Sequence, residues 1–107
     1  MNKAEALRIL DDAKRLIIEK GWTQGYFAKN AAGENVRLDS EEAESFCVLG
    51  AAFLAAGCRN ESFIRAALIA AAPAGEPAEY NDAPGRTKEE VLALIDKAKE
   101  WVNEQGE

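Results

Sequence analysis

The side chains whose types and spacing could carry chemistry are few: Trp22, Gln24, Cys47, Tyr80, Asn81, Asp82 and Arg86. Asn81, Asp82 and Arg86 fall in the polar, turn-forming stretch Tyr80-Asn81-Asp82-Ala83-Pro84-Gly85-Arg86-Thr87. If they converge, Arg86 offers a forked donor, Asp82 an acceptor and Asn81 both. Trp22, Gln24 and Tyr26 could form the other wall of such a site, because aromatic faces and an amide orient a small polar ligand or peptide. The structural reading stands beside this one. Ala83-Pro84-Gly85-Arg86 satisfies the type II turn rule, with proline fixing φ and glycine supplying positive φ, so the stretch also reads as a stiff entrance to a helix. Trp22 then reads as a packing residue.

Catalytic constellations are not legible. There is no histidine in the chain, which removes the commonest general base and leaves Cys47 without a partner to deprotonate it. Cys47 therefore reads as a small buried hydrophobe. The neighbouring carboxylates Asp11 and Asp12, Glu41 and Glu42, and Glu89 and Glu90 diverge on a helix and read as solvated faces. Cys47 and Cys58 are spaced wrongly for a metal knuckle, so no zinc, disulfide or other cofactor is expected. No phosphate loop, nucleophile elbow or zinc-binding helix motif occurs.

The chain has 107 residues, enough for one domain around one modest core. It is 48% hydrophobic and 30% charged, a composition that excludes disorder and, with its many alanines, favours closely packed helices. The net charge of −6 is concentrated in the C-terminal third, and no basic stripe is present. Direct binding to nucleic acid or to anionic membranes is not expected. The charged amphipathic start and the lack of a long apolar run point to a cytoplasmic protein.

The elements that must position these residues follow from periodicity. Ala6, Leu7, Leu10, Ala13, Ile17 and Ile18 predict an amphipathic helix over about 3–20, ended by Gly21. Aromatic and alternating residues around Asn30 and Gly33 predict a hairpin over about 25–38, anchored by Trp22 and Phe27. Asp39 or Ser40 is expected to cap a central helix over about 40–56. Gly50 within it implies that another backbone approaches closely, since glycine otherwise costs a helix about 1 kcal/mol. Asn60 is expected to cap a helix over about 60–72, which Pro73 stops. Three prolines and two glycines make 73–86 an irregular loop. Thr87 and Glu90 form a capping box that opens the last helix, over about 88–104, with Val91, Leu94, Ile95, Ala98, Trp101 and Val102 as its apolar stripe.

Gly21-Trp22-Thr23-Gln24-Gly25, Phe46-Cys47-Val48-Leu49-Gly50-Ala51, and Tyr80-Asn81-Asp82 followed by Arg86-Thr87 with Glu90-Val91-Leu92 together resemble an uncharacterised family of small bacterial and phage-borne proteins of unknown function. The resemblance spans most of the chain. It implies that the three stretches belong together and brings no activity or catalytic residue with it.

The expected architecture is a mainly α, four-helix single domain with a small β-hairpin between the first two helices. The leading functional expectation is a non-enzymatic interaction or accessory module whose surface includes the 80–87 loop. A small-molecule binder or undetected enzyme is the alternative, using Trp22, Gln24, Cys47, Tyr80, Asn81, Asp82 and Arg86 in a concave polar pocket where the loop meets the hairpin. A third reading is a homodimer formed through an exposed stripe on the first or last helix.

Overall fold

A computed structural model describes residues 1–105. The fold is mainly helical. α1 (Lys3–Glu19), α2 (Val48–Ala55), α3 (Ser62–Ala71) and α5 (Lys88–Glu104) are the long helices, and a short α4 (Pro77–Asp82) follows a 3-10 turn at Pro73–Gly75. β1 (Ala28–Lys29) and β2 (Ser45–Phe46) form a two-stranded antiparallel sheet between α1 and α2.

The helical periodicities translate directly into the core. α1 buries Ala6, Ile9, Leu10, Ala13 and Ile17, α3 buries Ile64, Ala67 and Leu68, and α5 buries Val91, Leu94, Ile95, Ala98 and Val102. Ile9 takes the core place expected of Ile18, which is 51% exposed. Across the α1–α5 seam, Lys14 Nζ lies 2.9 Å from Asp96 and Lys99 pairs with Asp11. Trp101 is half-buried and packs on Phe63, with ring centroids 5.5 Å apart. The capping box at the start of α5 forms as expected: Glu90 N–H donates to Thr87 Oγ1, and Thr87 N–H donates to Glu90 Oε1 at 2.9 Å. The Thr87 amide holds the Glu90 carboxyl below its ordinary range, and the nearby Arg86 adds to the effect.

Four boundaries differ from the expectation. The central helix begins at Val48 rather than near 40, because the backbone before it is already engaged. Phe46 N–H donates to Gly21 O and Thr23 N–H donates to Phe46 O, while Ser45 and Phe46 pair with Lys29 and Ala28. Ser40 closes only a local turn, its hydroxyl accepting from Glu42 N–H. The second arm of the hairpin is therefore Ser45–Phe46, and Val36 contributes one hydrogen bond to Ala28 O beside a bridge between Lys29 and Asn35. The 30–34 turn itself forms, with Gly33 at φ +81 and the Asn30 side chain accepting from the Ala32 and Glu34 amides.

Glu61, not Asn60, caps α3, accepting from Phe63 N–H at 2.7 Å. The stretch 73–86, expected as loop, contains α4. Pro77 sits in the first turn of that helix, where its fixed φ is favourable and its missing N–H is not needed.

Gly50 meets its expectation. A Cβ built there would stand 2.1 Å from Phe27 O, so the 27–28 backbone crosses directly over α2. This crossing leaves Phe27 half exposed, edge-on to Phe53 at 5.5 Å, rather than buried as an anchor. No described helix is long and apolar enough to cross a membrane.

Candidate functional site

Among the described residues, Asn81 is the one buried polar side chain, with 0% exposure. It occupies the last turn of α4, and its amide uses its full hydrogen-bonding capacity. Oδ1 accepts from Trp22 Nε1 at 2.8 Å and from Val48 N–H at 3.0 Å, while Nδ2 donates to Thr23 O at 3.1 Å and to Asp82 Oδ1 at 2.9 Å. The Val48 amide belongs to the first turn of α2, which has no partner within its own helix. Asn81 thus caps one helix from the end of another.

Neighbouring bonds complete the knot. Gln24 Nε2 donates to Asn81 O at 3.0 Å and Ala83 O at 3.1 Å, and Gly25 N–H donates to Asp82 Oδ1 at 3.0 Å. The three sequence stretches 21–25, 46–51 and 80–82 meet here. Among the described residues, no buried side-chain nitrogen or oxygen lacks a hydrogen-bond partner.

Tyr80 and Arg86 form a separate unit. Arg86 Nε donates to Tyr80 O at 2.7 Å, its guanidinium carbon lies 3.7 Å from the Tyr80 ring centroid, and Nη1 reaches Glu90 Oε2 at 3.3 Å. The guanidinium therefore stacks on α4 and braces α5. The turn beneath it closes through Arg86 N–H to Ala83 O at 3.0 Å, with Gly85 at φ +81.

Beside the knot lies a cavity of about 340 Å³ lined by Gly25, Tyr26, Phe27, Asn35, Cys47, Leu49, Ala78, Asn81 and Asp82. The sequence predicts a concave polar pocket where the loop meets the hairpin; this cavity lies between the 25–27 segment, the start of α2 and α4, and its wall is mainly apolar. Of the sequence candidates, Tyr26, Cys47, Asn81 and Asp82 line it. Trp22 and Gln24 hold its floor through Asn81, while Tyr80 and Arg86 are not among its lining residues.

Gly25, Phe27, Asn35, Leu49 and Ala78 also line the cavity and are not legible as site residues in the sequence. The adjacent aromatics Tyr26 and Phe27, 51% and 50% exposed, were the available signal. Asn35 and Ala78 reach the cavity only through long-range folding.

Cys47 caps α2, its sulfur accepting from Gly50 N–H at 3.2 Å. Burial pushes its thiol above the ordinary value; the Gly50 and Leu49 amides pull the other way, and the negative Asp82 nearby adds to the rise. The side chain is consequently a protonated thiol at neutral pH, without the lowered pKa that marks a nucleophile.

A second hollow of about 520 Å³ is edged by Glu34, Glu41, Glu42 and Glu44. No cluster of three or more His, Cys, Asp or Glu among the described residues is placed to hold a metal ion.

No curated protein and no solved structure matches the chain. A family model described as "Family of unknown function (DUF6197)" matches residues 1–100, nearly the whole chain and all three stretches that meet at Asn81, and the chain belongs to that family.

Proposed function

We propose that the chain is a non-enzymatic binding or accessory module that takes its ligand in the cavity between the 25–27 segment, the first turn of α2 and the end of α4. The observation that carries this reading is the construction of the cavity. Its floor is the saturated Asn81 knot, which holds three segments in fixed relation, and its rim carries the half-exposed rings of Tyr26 and Phe27. Apolar surface held out in this way gains about 25 cal/mol per Å² when a ligand covers it. The volume falls at the lower end of the range for small-ligand pockets.

Binding is favoured over catalysis because Cys47, the nucleophilic side chain on the wall, is kept protonated by burial. We assign the module to the cytoplasm, where an exposed unpaired thiol such as Cys58 stays reduced.

The test is to fill the cavity without touching the knot. Ala78 is exposed, lines the cavity and makes no side-chain hydrogen bond, so Ala78→Trp places an indole in the space while every partner of Asn81 remains. A ligand-observed NMR fragment screen should yield binders of the wild type that Ala78→Trp rejects at unchanged Tm. A screen in which no fragment distinguishes the two proteins would overturn the reading.

A further inference from the structure

The geometry points to a ligand class: the cavity takes a small organic cation, a protonated amine carried on an apolar body of about one ring. This rests on the binding-module reading above and adds the chemistry of the ligand.

Asp82, the last residue of α4, is the charged group on the cavity wall. Its Oδ1 accepts from Gly25 N–H at 3.0 Å and from Asn81 Nδ2 at 2.9 Å. These donors belong to separate segments, the 21–25 stretch and α4, and together they fix the carboxylate. Its second oxygen makes no hydrogen bond to any described residue.

Among the described residues, no lysine or arginine lines the cavity. Lys29 stands over the Tyr26 ring at 5.4 Å, and Arg86 is engaged by Tyr80 and Glu90. The charge on the lining itself is therefore negative and held in place by two hydrogen bonds, and the net charge of −6 adds a long-range attraction for cations.

Asp82 is exposed, so its second oxygen faces solvent; an anionic ligand would be placed against this carboxylate, whereas an amine exchanges hydration for a charge-assisted bond. Charge-assisted hydrogen bonds to a carboxylate are the stronger kind, so an amine gains most. The rest of the wall, Tyr26, Phe27, Leu49 and Ala78, suits a ring or short hydrocarbon chain. At ~30 Å³ per water, the volume corresponds to about eleven waters, enough to admit one ring with a two-carbon arm with space to spare.

Three probes of matched shape separate the possibilities: 2-phenylethylamine, 2-phenylethanol and 3-phenylpropionate. Each is titrated into ¹⁵N-labelled protein while the Gly25 and Val48 amides are followed, the first because it bonds Asp82 and the second because it bonds Asn81. The amine is expected to bind roughly tenfold more tightly than the alcohol, with the acid weakest. Asp82→Asn keeps an acceptor for both donors while removing the charge, and it should bring the amine down to the affinity of the alcohol.

An amine that binds wild type no better than the alcohol overturns the inference, even if the variant does not fold. So does an amine affinity unchanged in a folded Asp82→Asn protein. If the fragments rejected by Ala78→Trp prove neutral or anionic, the ligand class is wrong and the binding module stands. If no fragment is sensitive to Ala78→Trp, both readings fall.

Discussion

Replacing Asn81 by aspartate exchanges one NH2 for one oxygen in a side chain with no exposed surface. The acceptor bonds from Trp22 Nε1 and Val48 N–H survive the change. The donor bonds do not: Thr23 O and Asp82 Oδ1, now 3.1 and 2.9 Å from an NH2, would each face an oxygen. Asp82 Oδ1 keeps its bond from Gly25 N–H, but Thr23 O loses its partner, and an acceptor left unmatched away from water costs about 1–3 kcal/mol. Introducing a buried carboxylate beside Asp82 adds a like-charge and desolvation cost. The expected loss at neutral pH is about 3–5 kcal/mol, a large share of the 5–15 kcal/mol typical of a domain.

Protonation provides an internal check. A protonated carboxyl can donate again to Thr23 O or Asp82, and burial and the like charge both raise the folded pKa of the introduced group. A raised folded pKa contributes stability that is present below the unfolded value, about 3.9 for aspartate, and is lost as pH rises through the folded one. The deficit relative to wild type should therefore shrink on acidification. Urea titrations of wild type and Asn81→Asp, followed by tryptophan fluorescence at neutral and mildly acidic pH, measure both quantities, with Trp22 reporting on the knot itself. With a slope of about 1–3 kcal/mol per molar urea, the neutral midpoint should fall by roughly 2 M. A loss below about 1 kcal/mol, or a deficit independent of pH, would refute the idea that the Asn81 amide supplies obligatory donors.

Gly50→Ala tests the backbone crossing. Helix propensity alone favours alanine by about 1 kcal/mol, yet its Cβ would stand 2.1 Å from Phe27 O and 2.9 Å from Phe27 C, both main-chain atoms that cannot rotate away. Overpacking should prevail, lowering stability by about 3 kcal/mol and Tm by more than ~10 °C, and an unchanged Tm would show that the segments are not in contact. The two thiols should separate kinetically. Exposed Cys58 should be alkylated readily by iodoacetamide in the native protein, whereas buried Cys47 should react slowly and still be accelerating as pH passes the ordinary thiol range, because its pKa is raised. Mass spectrometry resolves the two sites, and equal native rates would contradict the burial of Cys47.

The parts of this structure legible in the chain are those decided within a few residues. The Thr87–Glu90 capping box spans four positions, the Ala83–Arg86 turn spans four, and the stripes of α1 and α5 repeat every three or four, so local backbone geometry settles them. Gly50 was readable for a related reason: a glycine that weakens a helix needs a compensating neighbour, although nothing in the chain says that the neighbour is Phe27. The start of the central helix was misread because Asp39-Ser40-Glu41-Glu42 has the composition of a cap. What overrides that composition is the engagement of Phe46 by Gly21, Thr23 and Ala28, all far away in sequence.

The candidate site divides in the same way. Residue types alone marked Asn81, Asp82, Trp22 and Gln24 as polar groups seeking partners, and the family resemblance grouped their stretches. Only the tertiary structure decides that Asn81 turns inward, because its partners Trp22 and Val48 lie 59 and 33 residues away. Arg86 had two directions open to it, and the Tyr80 ring together with the Glu90 carboxylate settles the choice. Which side chains need hydrogen bonds and which helices have a buried face could be read in advance, since both follow from chemistry and local period. The fold alone decided which of those needs are met inside the protein. Asp82 is left with one oxygen outside that network, on the wall of a cavity whose lining is drawn from four separate parts of the chain.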